Sequence, residues 1–206
     1  MGETSKVGIS ASKVVALIGA LVVIQVCIGY FATLDALNIL YGIIGLIFAA
    51  VIFISLEIVD LKKVKIPYLW WVLLIIGILL ILFEFAVGPS YLGGILVLIA
   101  ALLEFLSQKK TYAESKIVAL IGACYLIYES VMPLLSVSPA PTSIALSIVG
   151  FVFAIILILT LQDKIDVKIP YAWWTILIIG FVVFTWVTTV SGTVIMVAFI
   201  LILMAF

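Results

Sequence analysis

Val14 to Leu34 contains no charged residue, and neither does Ser136 to Gln162. A bilayer-spanning helix needs ~20 apolar residues in a row, and each of these runs is long enough. The composition agrees with them. Of the 206 residues 67% are hydrophobic and 10% charged, too little polar material to coat a water-soluble fold of this size. Lipid cannot satisfy backbone N–H and C=O groups, so each apolar segment must do so internally as a helix. The period-two alternation of a membrane barrel strand is absent. The expected fold class is therefore all-α integral membrane.

The second constraint is an internal repeat. Ser12-Lys13-Val14-Val15-Ala16-Leu17-Ile18-Gly19-Ala20 recurs as Ser115-Lys116-Ile117-Val118-Ala119-Leu120-Ile121-Gly122-Ala123, 103 positions later. Lys65-Ile66-Pro67-Tyr68-Leu69-Trp70-Trp71 recurs as Lys168-Ile169-Pro170-Tyr171-Ala172-Trp173-Trp174 at the same offset, and so does Ile75-Ile76-Gly77 as Ile178-Ile179-Gly180. Separated anchors held at one offset argue for duplication rather than chance likeness among apolar helices. Each unit reads as four apolar segments: 14–34, 38–59, 67–87 and 91–106, then 117–135, 142–161, 170–190 and 192–206. The expectation is eight transmembrane helices as two tandem parallel four-helix repeats. A cytoplasmic N-terminal tail covers 1–13, the first repeat 14–106, a cytoplasmic linker 107–116 and the second repeat 117–206.

Lysine placement sets the expected orientation. Lys6 and Lys13 precede the first segment. Lys62, Lys63 and Lys65 lie between the second and third, Lys109, Lys110 and Lys116 between the fourth and fifth, and Lys164 and Lys168 between the sixth and seventh. The opposite connections, near 35–38, 88–91, 136–141 and 190–192, carry no Lys and one acid, Asp35. This predicts a multi-pass cell-membrane protein with both termini cytoplasmic. Because each unit has an even number of helices, the repeats are parallel, unlike the inverted repeats of many transporters. The N-terminal segment is expected to be a retained helix rather than a signal peptide, since the same segment recurs at 115–135.

The charge balance excludes a nucleic-acid surface: ten basic residues face ten acids. There is no His, the commonest general base and metal ligand, and no Arg to clamp a phosphate or carboxylate. Cys27 and Cys124 fall at different depths and are expected to be plain apolar side chains. No cofactor and no metal site is expected. An intramembrane enzyme acting on lipid is the weakest of three readings.

Lys65, Pro67, Tyr68, Trp70 and Trp71, with Lys168, Pro170, Tyr171, Trp173 and Trp174, are read as interface anchors. Lys seeks headgroups, Tyr and Trp the interface, and Pro the first helical turn. The glycines, Gly19 and Gly122 and Gly77 and Gly180 among them, are read as sites of close helix packing. Intramembrane acids are costly and often functional. Glu57 and Glu104 fall near the Lys-bearing helix ends. Glu84, 17 residues after Pro67, lies ~26 Å across, and Glu129, 13 residues after Lys116, ~20 Å across. Pro133 has no N–H to give the Glu129 carbonyl, and Tyr125 lies one turn before Glu129, with Gln25 at a similar depth on the first segment. Glu129, Glu84, Gln25 and Tyr125 thus form the candidate ion or proton site. The leading functional expectation is a non-enzymatic accessory subunit, assembly partner or membrane scaffold, in contact with the lipid bilayer and with other membrane proteins or copies of itself. The alternative is a small cation- or proton-coupled transporter or channel using Glu129 and Glu84.

Overall fold

The computed structural model describes residues 10–33, 35–58, 66–87, 91–107, 113–135, 140–161 and 171–204, and the side chains of 84–87 fall outside that description. Lys65, Lys168 and Pro170 lie outside the described residues, as do most of the lysines used to assign orientation. The described residues form eight helices: α1 Ala11–Ala32, α2 Ala36–Ser55, α3 Trp70–Val87, α4 Leu92–Ser107, α5 Glu114–Val131, α6 Pro141–Leu161, α7 Trp173–Val182 and α8 Thr189–Met204. Four are long and apolar enough to cross a bilayer: α1, α2, α6, and α5 with the turn that extends it to Leu135. The chain is a multi-pass helical membrane protein, and the bilayer is the solvent that its apolar faces fit.

Local sequence sets the helix ends. Ser10 caps α1, its hydroxyl accepting from the Lys13 N–H, which satisfies a donor that the first turn leaves over. At the end of α2 the chain passes through Glu57 at φ 60°, while the Ile58 N–H reaches back to the Phe53 carbonyl. That is a left-handed stop usually filled by glycine. Pro133 ends the α-helical ladder of α5, and the chain tightens into a 3-10 turn over Met132–Leu135. After Val182, α7 widens into a π-turn over Val183–Val187. There the Thr188 N–H bonds the Val183 carbonyl at 2.9 Å, and a single extended residue, Thr188, leads into α8.

The chain divides into two compact units, Met1–Lys110 and Thr111–Phe206. In the first, α1 packs on α2 and α4, α3 packs on α4, and α2 meets α3 lightly. In the second, α5 packs on α6 and α8, α7 packs on α8, and α6 meets α7 and its π-turn lightly. Small residues carry the closest approaches in each unit. A Cβ at Gly19 would stand 3.1–3.3 Å from Val97, Leu96 and the Gly93 carbonyl, and one at Gly122 would stand 2.8 Å from Ile195. Gly77 faces Leu98, and Gly180 faces Met196. Gly45 lies against Cys27, and Gly150 against Ser130. Lipid-dissolved helices gain nothing from excluding one another from water, so this intimacy of packing holds each unit together.

Candidate functional site

Glu129 and Glu104 lie where helices meet. In the second unit, Glu129 sits near the end of α5 and faces the first turn of α8. Its Oε2 accepts from the Ser191 hydroxyl at 2.6 Å and from the Ser191 backbone N–H at 3.3 Å. The Ser191 hydroxyl in turn pairs with the Thr188 hydroxyl. An N–H in the first turn of a helix has no partner within its own helix, and a carboxylate there also meets the positive end of the helix dipole. Glu129 therefore caps α8 from a neighbouring helix. Ser191 is fully buried. The sequence reading places 190–192 in a connection and starts the last segment at 192, whereas α8 begins at Thr189. The seventh apolar segment, read as 170–190, carries Thr188 and Thr189 within it, yet hydroxyl residues at a helix start are a capping signal.

Tyr125 packs its ring on Tyr128, with centroids 5.8 Å apart. Gln25 is exposed on α1, in the first unit. Glu84 falls within α3, and its side chain is outside the described residues. The donors that hold Glu129 come from Ser191, a residue the sequence reading does not single out.

Glu104, near a Lys-bearing helix end, accepts from the Ser12 hydroxyl at 2.6 Å. This bond links the end of α4 to the start of α1. Beside it, the Lys13 ammonium lies 5.5 Å from the centre of the Tyr68 ring, and in the second unit Lys116 lies 5.6 Å from Tyr171. Both tyrosines precede their helices. Their hydroxyls are buried without a well-formed hydrogen bond, although Ser12 and Ser115 stand nearby. Burial pushes both hydroxyls above the ordinary tyrosine range, so they stay protonated. The anchor motif thus docks the entry to α3 on α1, and the entry to α7 on α5. Trp71, Trp173 and Trp174 are exposed on the outer surface, and Trp70 packs edge-on to Phe105 at 5.1 Å.

Among the described residues no cluster of His, Cys, Asp or Glu could hold a metal ion. No family model matches the chain, and no curated protein or solved structure matches it either.

Proposed function

We propose that the chain is a non-enzymatic membrane protein, an accessory subunit, assembly partner or scaffold, built from two tandem parallel four-helix repeats with all eight helices in the membrane. The observation that carries this reading is the state of Glu129. Its carboxylate is taken up by two donors of α8, so the costliest residue in the membrane serves helix packing rather than presenting itself to a ligand.

The duplication is supported by the buried faces. Val15, Ala16, Gly19, Ala20, Val23 and Cys27 of α1 match Val118, Ala119, Gly122, Ala123, Leu126 and Ser130 of α5 at the 103-residue offset. Gly42, Gly45, Ala49, Ile52 and Ser55 of α2 match Ser147, Gly150, Ala154, Leu157 and Thr160 of α6 at an offset of 105. Gly93, Gly94, Leu96 and Val97 of α4 match Ser191, Gly192, Val194 and Ile195 of α8 at 98. The loops absorb the differences. The one-sided lysines support the cytoplasmic placement of both termini.

Purification in mild detergent, with identification of what co-purifies, tests the function. A stable stoichiometric membrane-protein partner is the expected result. Stabilisation by a monovalent cation or by a pH step that disappears in Glu129→Gln would overturn it in favour of the second reading, cation or proton coupling, which the Thr188–Ser191–Glu129 chain of hydrogen bonds favours. Topology is tested by single-cysteine labelling at positions 63, 110 and 89 in a Cys-free background. Positions 63 and 110 should label from the cytoplasmic side and 89 from the other, and labelling of 63 and 89 from one side would sink the orientation.

A further inference from the structure

The second unit contains helices of two lengths. α5, extended by its 3-10 turn, runs for 22 residues to Leu135, and α6 runs for 21. Both reach ~31–33 Å, enough for a hydrocarbon core of ~30 Å. The 10 residues of α7 and the 5 of its π-turn reach only ~22 Å. α7 and α5 begin at about the same level, because the Lys116 ammonium lies 5.6 Å from the centre of the Tyr171 ring. The far end is fixed independently. Glu129 stands 15 residues after Glu114, ~22 Å along α5, and its bond to Ser191 puts the first turn of α8 at that depth. The turn from α7 into α8 therefore lies ~10 Å below the end of α5. The first unit has more chain at this place. Trp70 to Gly93 is 23 positions, and Trp173 to Ser191, which match them, is 18. The shorter hairpin turns on a single extended residue, Thr188.

The exposed aromatic residues give a second measure. Trp173 and Trp174 are exposed at one end of α7, and Trp186 is 69% exposed at the other. Trp collects at both membrane interfaces. Trp174 and Trp186 are 12 residues apart, ~18 Å, so the two belts mark a core much thinner than ~30 Å. Past Trp186 come Thr188 and Thr189, and a helix end carries carbonyls that lipid tails cannot satisfy. A short apolar stretch meets an ordinary bilayer by thinning it, by snorkelling flanking side chains or by oligomerising. Snorkelling needs long charged side chains, and 171–204 contains no Lys or Arg.

We propose that the second unit thins the bilayer over the α7–α8 turn, drawing headgroups and water down to Thr189. α5 and α6 hold the bilayer at ordinary thickness while α7 pulls it in, so one unit imposes a step in thickness on the lipid around it. This rests on the reading that α7 and α8 lie in the membrane, and it gives a membrane scaffold something to do there.

The test is cysteine labelling of the full chain, in a Cys-free background, with a membrane-impermeant maleimide on both sides of the vesicle. The protein is reconstituted in phosphatidylcholines with monounsaturated chains of fourteen, eighteen or twenty-two carbons. Thr189→Cys should label in the two shorter lipids within tenfold of the rate at position 89, in the connection after α3. In the longest lipid, where thinning costs most, it should label at least fivefold more slowly, while position 89 hardly changes. Ile178→Cys, exposed midway along α7, should stay unlabelled throughout. Its labelling would overturn the placement of α7 in the membrane, and the proposal with it. Equal rates at Thr189→Cys in all three lipids, with Ile178→Cys unlabelled, would overturn the thinning alone. So would failure of Thr189→Cys to label even in the shortest lipid, because a second copy or hydrocarbon would then cover the turn.

Discussion

The α1–α4 contact of the first unit and the α5–α8 contact of the second use the same small-residue faces but fasten opposite ends. In the first unit the polar fastener joins Ser12 to Glu104, at the end where the chain enters α1. In the second it joins Glu129 to Ser191, at the far end. The matching positions are apolar or small in each case: Val26 and Gly93 stand where Glu129 and Ser191 do, and Ile202 stands where Glu104 does. One antiparallel helix pair thus tolerates a carboxylate at either end, provided a hydroxyl faces it. In each pair the acid fastens one end of a contact whose closest approach is made at a glycine, Gly19 or Gly122.

The sharpest way to break this comparison is to convert one unit into the other. Glu129→Val should destabilise the second unit by about 2–3 kcal/mol, because the Ser191 hydroxyl and N–H lose their acceptor in a buried site. Adding Ser191→Gly should recover part of the loss by removing a buried hydroxyl left with Thr188 alone as its partner and by installing the Val/Gly pair of the first unit. Thermal unfolding in detergent, run as a double-mutant cycle, measures the coupling. Additive effects would show that the fastener does not work as a pair.

Gly192 gives the next effect. A Cβ there would strike the backbone of Phe184 in the π-turn, and backbone cannot swing aside as a side-chain tip does. Gly192→Ala should cost about 2 kcal/mol through overpacking. Gly29→Ala, where nothing lies within 4 Å of the added carbon, should be close to neutral in the same assay. Equal losses at the two sites would mean that α8 does not rest on the π-turn as closely as described.

The helices were legible because uncharged runs have one solvent and one solution within it, and the anchors because Lys, Pro, Tyr and Trp each have a distinct preference at the interface. Ser191 was hidden for a physical reason. Membrane helices are apolar on every side, so their sequences do not declare which face is buried, and only contact geometry separates Gly19 from Gly29. The spacing of the buried faces was hidden too: the constant offset at Lys13 and Pro67 does not disclose that buried residues of α6 lie 105 positions after those of α2, and those of α8 98 after those of α4.

The smallest expected effect compares two serines that the sequence makes look equivalent. Ser12 and Ser115 open the same repeated motif, and each stands near a buried tyrosine hydroxyl, Tyr68 or Tyr171. Among the described residues only Ser12 meets an acid across its helix pair, donating its hydroxyl to the Glu104 carboxylate. A hydrogen bond to a charged group is worth about 1.5–3 kcal/mol when fully buried. Glu104 is partly exposed, so water replaces the serine in part, and Ser12→Ala should cost about 1 kcal/mol. Ser115→Ala, with Ile202 in the place of the acid, should cost no more than about 0.5 kcal/mol. Glu104→Ile should then bring the first unit to the pattern of the second, after which Ser12→Ala should add little. Thermal shifts of the four variants in one detergent decide it. If Ser115→Ala costs as much as Ser12→Ala, the serines act through the tyrosines and the helix start, and the carboxylate is not what distinguishes the two units at this end.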